Sequence, residues 1–402
     1  MTKKILIIGS GWEQVSLIET AKKMGHFIIA THPHISADGF KLADQYYVKD
    51  SRDIKGHIAI AESHKIDAVL TDNCDYSLYT ASIVASKLNL PFASIQSALY
   101  SNDKFAQREC VSHTKVKQPA FVKIQTLNQL FDAVSKIGFP SILKPIDSRG
   151  TFGVTIIENE TQLKQAFFDA INNSPSRTLI YERFIKGTLV TVDGFCFKNG
   201  HQSLTVASRK FDGGPKPVTK EIIYPAVFEN NINVALMNAH HDVVSALGYT
   251  IGHTHGEYIL TENKEIFLVE CTNRGGGVFT SSVIVPLLTS YPINVCLINQ
   301  MLGCDTYEPE NIGLASMKCS VMLTFIDYEV GKVIAEINTE GVQKLPFTVR
   351  FRSKYGVNDM IESIENGAGR HSMLVITAKN HNEILNNLNA FKHTLEVKYY
   401  LN

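Results

Sequence analysis

The chain has 402 residues, of which 44% are apolar and 19% charged, with 39 basic side chains against 39 acidic ones. That is enough chain for two or three domains with cores of their own, and the even charge leaves no excess to recruit nucleic acid or an anionic membrane. No apolar run reaches membrane-spanning length, the run ILII after the first lysines is too short for a secretory core, and seven scattered cysteines without a C-x-x-C spacing suit a reducing cytoplasm.

In chain order, KILIIGSGWEQVSLIETAKKMGHFIIATHP predicts strand, glycine-rich turn, amphipathic helix and strand, with Val15, Ile18 and Ala21 on one helix face. DQYYV, IDAVLTD, the helix YTASIVASKLNL and the strand PFAS continue the alternation. An open parallel sheet covered by helices on both faces is therefore expected over residues 1–100. The turn from Gly9 to Gln14 lacks the third glycine of a dinucleotide fingerprint, and IIATHPH stands where an acid should hold a ribose about 20 residues on. NAD binding is disfavoured, and a tight strand-to-helix turn is the plainer reading.

From Ser101 the character changes. SNDKFAQREC predicts a helix capped by Asn102 or Asp103. FVKI, the helix LNQLFDAVSKIG ended by Gly138, PSILKPI, VTIIE, the helix TQLKQAFFDAINN and TLIYERFI predict a small α+β lid over about 118–186. LVTVDGFCFKNGHQSLTVASRK reads as a hairpin turning at Lys198-Asn199-Gly200. FDGGPKPVTKE has the composition of a mobile flap, and NVALMNAHHDVVSALG is a helix stopped by Gly248. A helix near NVCLINQMLG ends the central domain at about 310. The strands SMKCSVMLTFI, GKVIAEI, TVRFR and MLVITA with the helix HNEILNNLNAFKHTL then predict a C-terminal α+β module over 311–402.

HTHGEYILTENKEIFLVECTNRGGG, His253 to Gly277, carries the chemistry. A symmetric hairpin that pairs Thr261 with Ile266 sets Glu257 opposite Glu270. Directly opposed side chains stand about 4.5–5.5 Å apart at Cβ, where like charges repel. Their strand neighbours are apolar, which implies burial and raises the cost of unpaired charge. A hard divalent cation held by one or two carboxylates and substrate phosphates would neutralise them. Strand ends exposed to water, or one acid with a raised pKa, are the alternatives. Arg274 and the Gly275 to Gly277 amides that follow suit an anion. Lys144 in FPSILKPIDSRGTFGV ends an apolar strand just before the loop Ser148 to Gly153, an arrangement suited to a triphosphate. The lysine precedes the glycines, so this is not the common phosphate loop; a surface lysine beside a proline turn is the alternative. In LIYERFIKG, backbone groups around Glu182 and Ile185 could meet a purine edge.

These pieces in this order resemble the ATP-grasp superfamily of carboxylate-amine ligases, most of all the amino-acid and dipeptide ligases, over essentially the whole chain. The resemblance implies an α/β and α+β fold: a Rossmann-like pre-grasp sheet, the lid, a central antiparallel sheet and the C-terminal module. It implies that ATP is held by Lys104 and Lys144, by the loop bearing Ser148, Gly150 and Gly153, and by Glu182, Arg183 and Ile185 around the adenine. It implies Mg²⁺, with Mn²⁺ as a substitute, on Glu257, Glu270 and Asn273. Arg274, His255 and Lys144 are the implied catalytic residues. Family members often place Glu two residues after the hinge glycine to hold the ribose, whereas Gly187 here is followed by Thr188 and Leu189; many also interpose a residue between Asn and Arg.

The expected reaction activates a substrate carboxylate as an acyl-phosphate and joins it to an amine, giving a dipeptide or amide. A purine-biosynthesis type of ligase or carboxylase, and a nucleotide-binding protein without turnover, are the rival readings. Expected partners are small-molecule carboxylates and amines, with neither nucleic acid nor membrane; a homodimer is compatible with the sequence.

Overall fold

The computed structural model describes residues 1–148, 150–211, 218–306, 317–364 and 366–400. Four strands begin the chain: β1 (Lys4–Ile8), β2 (Phe27–His32), β3 (Gln45–Val48) and β4 (Ala68–Leu70), in the order β3-β2-β1-β4. All pairings are parallel. Ile5 to Ile8 are buried on both strand faces, as expected for a parallel strand that helices cover on each side. Leu17, Ile18 and Ala21 of the helix Val15–Lys23 cover one face together with the helix Ile293–Met301. Ile60, Ala61, Ala81, Val84 and Ala85 of the helices Ile54–His64 and Asp75–Leu88 cover the other. PFAS is no strand. Pro91 lacks a ladder donor, and Ser94 instead caps the helix Ile95–Asn102 by accepting the Ser97 amide.

The lid is an antiparallel sheet of β5 (Phe121–Ile124), β6 (Ser141–Pro145), β7 (Thr155–Ile157) and β8 (Leu179–Arg183), ordered β5-β8-β6-β7. Its core of Ile124, Leu143, Phe167 and Tyr181 draws only on residues of this unit. Between the lid and the last strands lie β9 (Thr188–Phe197), β10 (Gly200–Phe211), β11 (Thr219–Tyr224), β12 (Gly252–Leu260) and β13 (Ile266–Thr272). There follow β14 (Ser320–Thr324), β15 (Ile334–Ile337), β16 (Thr348–Ser353), β17 (Ser372–Ala378) and β18 (Val397–Tyr399). One sheet runs β13-β12-β9-β10-β11-β14-β17-β16, and β15 pairs β18 apart from it. The boundary expected at 311 therefore does not interrupt the sheet, because β14 pairs directly with β11.

The carboxylate hairpin is built differently from the symmetric one. The turn is one residue longer, with Thr261 N bonded to Glu265 O and Lys264 at φ 61°, so Leu260 rather than Thr261 faces Ile266. A bulge at Val269 takes up the difference, and Glu257 pairs with Glu270 after all. Bulges leave one residue out of the ladder. Here the Val269 carbonyl is satisfied by Arg108 Nη2 at 2.8 Å.

Candidate active site

Lid, central sheet and the helix Lys104–Val111 enclose a cleft of about 530 Å³. Asp103 caps the helix Lys104–Val111 by accepting from the Phe105 and Ala106 amides, which fixes Lys104 at its first position and Arg108 one turn later on the same side. Lys104 Nζ lies 3.0 Å from Ser148 O and 3.1 Å from Glu270 Oε2. Burial works against its charge, but Glu270 outweighs that and raises its pKa. From β6, Lys144 Nζ reaches Glu182 Oε2 on β8 at 2.7 Å, and Arg108 Nε holds the other Glu182 oxygen at 2.8 Å. One buried carboxylate thus serves two cations. Against the penalty of burial, these cations bring the Glu182 carboxyl down to about 2. Lys144 is left under-compensated: burial, opposed by Glu182 but reinforced by Arg108, lowers its pKa. Arg108 Nη1 is buried without a partner. Arg108 was not singled out in the sequence; its spacing of one helical turn from Lys104 was the available signal.

Glu257 and Glu270 both line this cleft, each with its own cation. Arg209 of β10 holds Glu257 at 2.8 Å, and Lys104 holds Glu270. Burial opposes the Glu257 charge, yet Arg209 and His255 keep its carboxyl well below the usual range. His255 Nδ1 lies 2.7 Å from Asp193 Oδ1, directly across the ladder on β9, and its Nε2 faces Glu257 at 3.7 Å. Burial disfavours the charged ring, but Asp193 prevails and raises the His255 pKa. A Cβ on Gly276 would come within 2.8 Å of His255 Nδ1 and 3.0 Å of Asp193 Oδ1, so only glycine lets the backbone pass this pair. Asp193 and Arg209 also escaped the sequence reading, since residues on neighbouring strands are brought together only by register.

Asn273 is a correction. It does not line the cleft: its amide nitrogen donates to the Ile251 and His253 carbonyls at 2.8 Å each, and it borders a separate small cavity. Strand alternation is the reason, because residues 270 and 272 share a face that 273 does not. Thr272, opposite His255 in the ladder, has a buried hydroxyl without a partner. Arg274 does line the cleft but is already engaged, holding both Asp75 oxygens at 3.0 and 3.1 Å. The expected amide cradle at Gly275 is likewise committed, since its N–H donates to Asp72. Asn73 binds the Gly276 carbonyl, and Glu13 accepts from Val278 N. The glycine run is therefore a dock for the N-terminal domain.

Ser148, Gly150, Ile185 and Arg183 line the cleft. Gly150, Thr151 and Gly153 all take positive φ. Gly153 does not line the cleft; it packs against the helix Leu163–Asn172, where a Cβ would lie 3.1 Å from Ala170 Cα. The Arg183 guanidinium is turned outward to the Ile137 and Phe139 carbonyls, so only its backbone is available to a base. Glu182 lines the cleft as well, with its carboxylate committed to the Lys144 and Arg108 ion pairs. Leu189 lines the cleft and offers no ribose ligand. Arg149 and the flap segment 212–217 lie outside the described residues.

A nucleotide and a divalent cation fit this donor set. The cleft is lined by Lys144 and Arg108, cations suited to phosphate, and by the Glu257 and Glu270 carboxylates, suited to a metal. Among the described residues no group of three or more His, Cys, Asp or Glu could hold a metal by itself. A cation here would complete its shell with oxygens of the nucleotide, the habit of Mg²⁺.

Residues 137–282 match the ATP-grasp domain family. Among curated proteins, the chain is 27% identical over 219 residues to a formate-dependent phosphoribosylglycinamide formyltransferase of Bacteroides thetaiotaomicron, covering 50% of this chain and 55% of that one. It is 26% identical over 246 residues to an alanine–anticapsin ligase of Bacillus amyloliquefaciens, covering 55% and 51%. The chain thus spans about half the length of the curated relatives it matches. Among solved structures, an L-amino acid ligase from Bacillus licheniformis superposes with TM-score 0.86 at 17% identity over 100% of this chain and 99% of that one. A phosphoribosylglycinamide synthetase from Anaerococcus prevotii gives 0.79 at 18% identity over the whole of both chains. The chain has the ATP-grasp fold, and its residues 137–282 match the ATP-grasp domain.

Proposed function

We propose that the protein is an ATP-dependent carboxylate-amine ligase that joins amino acids into a dipeptide or related amide. One observation carries this reading: Glu257 and Glu270 face one another in the cleft on which Lys104, Lys144 and Arg108 converge. The likeness to the L-amino acid ligase and the alanine–anticapsin ligase supports the amino-acid substrates.

In the proposed reaction a substrate carboxylate oxygen attacks the γ-phosphorus of ATP, and the bond to ADP breaks. The amine nitrogen then attacks the acyl carbon, phosphate leaves, and the nitrogen loses a proton. A carboxylate is a nucleophile at neutral pH without activation, so the protein contributes position and charge. Lys144 and Arg108 hold phosphoryl oxygens while Glu182 holds them in place. Lys104 ties the Ser148 carbonyl of the glycine loop to Glu270. Mg²⁺, held by Glu257 and Glu270, would neutralise phosphoryl charge. His255, fixed by Asp193, orients the Glu257 and Arg209 side chains. Arg274, clamped by Asp75, presents a rigid cationic edge to the acyl-phosphate.

The test is product mass spectrometry with ATP, Mg²⁺ and paired amino acids. The expected result is an amide with phosphate release only when acid and amine are both present. Phosphate release with formate and a phosphoribosyl amine alone would instead support a purine-type ligase, which the formyltransferase relative favours. Absence of any product would leave a nucleotide binder.

A further inference from the structure

Five cations of the cleft are matched by carboxylates: Lys104 by Glu270, Arg108 and Lys144 by Glu182, Arg209 by Glu257, and Arg274 by Asp75. Arg370 also lines the cleft, yet among the described residues no carboxylate lies within ion-pairing distance of it. Its guanidinium stacks 3.9 Å from the centroid of Phe325. Nη2 makes one long bond of 3.3 Å to the Thr219 carbonyl, and Nε is buried without a partner. Burial foremost, and then Arg209, push its pKa down to about 10, with Glu13 opposing from a distance. A buried cationic edge without a counter-charge is costly to keep. It suits a planar anion that takes two parallel hydrogen bonds.

We infer that Arg370 anchors the free carboxylate of the amine-bearing substrate, so that the amine component is an amino acid rather than a simple amine. This inference rests on the ligase reading. Lys144 stands on β6 of the lid and Lys104 and Arg108 on the helix before it, whereas Arg370 enters from the segment just before β17. A Cβ on Gly367 in that segment would lie 3.6 Å from the Gly150 carbonyl, so the segment also abuts the glycine loop. An anchor that holds through both steps needs an anion that the reaction does not consume. The activated carboxylate loses that character when it becomes an acyl-phosphate and then an amide. The carboxylate on the amine component persists throughout.

The experiment measures binding rather than turnover. Calorimetric titrations of the full chain, saturated with Mg²⁺ and a non-hydrolysable ATP analogue, compare each of a panel of amino acids with its carboxamide. The wild type is expected to bind at least one amino acid about 10- to 100-fold more tightly than its amide, the worth of a charge-assisted pair. In Arg370→Gln that preference should vanish, while Arg370→Lys retains part of it. The melting temperature of each variant checks that it is folded. Equal binding of acid and amide by the wild type, binding of no amino acid, or an undiminished preference in Arg370→Gln would overturn the inference. A preference that depends on Arg370 in a protein that forms no amide would uphold the anchor and overturn the ligase reading instead.

Discussion

Glu182 holds Lys144 and Arg108 together, and all three are buried. Removing one partner from such a group leaves uncompensated charge, at about 3–5 kcal/mol. Glu182→Gln is therefore expected to lower denaturant stability by that order and to weaken ATP binding. The sign with pH follows from the carboxyl at about 2 in the fold against 4.5 as its ordinary value. The stabilisation is complete above about 4.5 and is lost as the pH falls toward 2. A variant as stable as wild type at pH 7 would contradict the hub. Lys144, Glu257 and Glu270 were legible in the sequence because each is a charge among apolar neighbours. Arg108, Asp193 and Arg209 were not, because their meaning lies in what register and helix phase set beside them. Asn273 shows the converse error, in which a residue of the right type is placed one step off the face that matters.

At the scale of elements, β12 turns its one acid, Glu257, to the cleft and seals its other side with His201 and His240. His240 Nε2 and His201 Nε2 both lie 2.9 Å from Thr254 Oγ1, and His240 Nδ1 lies 2.9 Å from the Tyr258 hydroxyl. Burial depresses both rings, His201 to about 3 and His240 well below 6.5. A group whose folded pKa is lowered gives stability that is complete above its unfolded value and declines as the pH falls below it. His255 has the opposite sign, but it is one ring against His26, His57, His201, His240 and His253. The melting temperature should fall steadily from pH 6.5 to pH 5, and His201→Gln should flatten that slope. An unchanged slope in the variant would show that the ring is not protonated on unfolding. The hairpin itself was legible from its alternation and its polar turn. The bulge at Val269 was not, since two compensating shifts leave the Glu257–Glu270 pairing as a symmetric hairpin would have it.

Over the whole molecule, cores and sheets divide the chain differently from composition. The lid has a core of its own, whereas β14 and β17 pack Met322, Leu374 and Ile376 against Ile223 of β11 in a shared core. Ending the chain at residue 310 would leave β11 as a long unpaired edge, a template for aggregation. That fragment is expected to be insoluble, while the isolated lid, residues 118–186, should give a dispersed amide spectrum; a soluble, cooperatively melting 1–310 fragment would contradict this division. The sequence locates four of the last module's five strands, missing the short β18, and none of their partners, because strand pairing over a hundred residues leaves no local signal.

The proposed grip of Glu257 and Glu270 on a metal that holds a nucleotide is tested most directly by ATP affinity with and without Mg²⁺. Wild-type protein should bind ATP more tightly when Mg²⁺ is added, and Glu257→Gln/Glu270→Gln should lose that gain while keeping its fold by circular dichroism. A double variant in which Mg²⁺ tightens ATP binding as much as in wild type would contradict it.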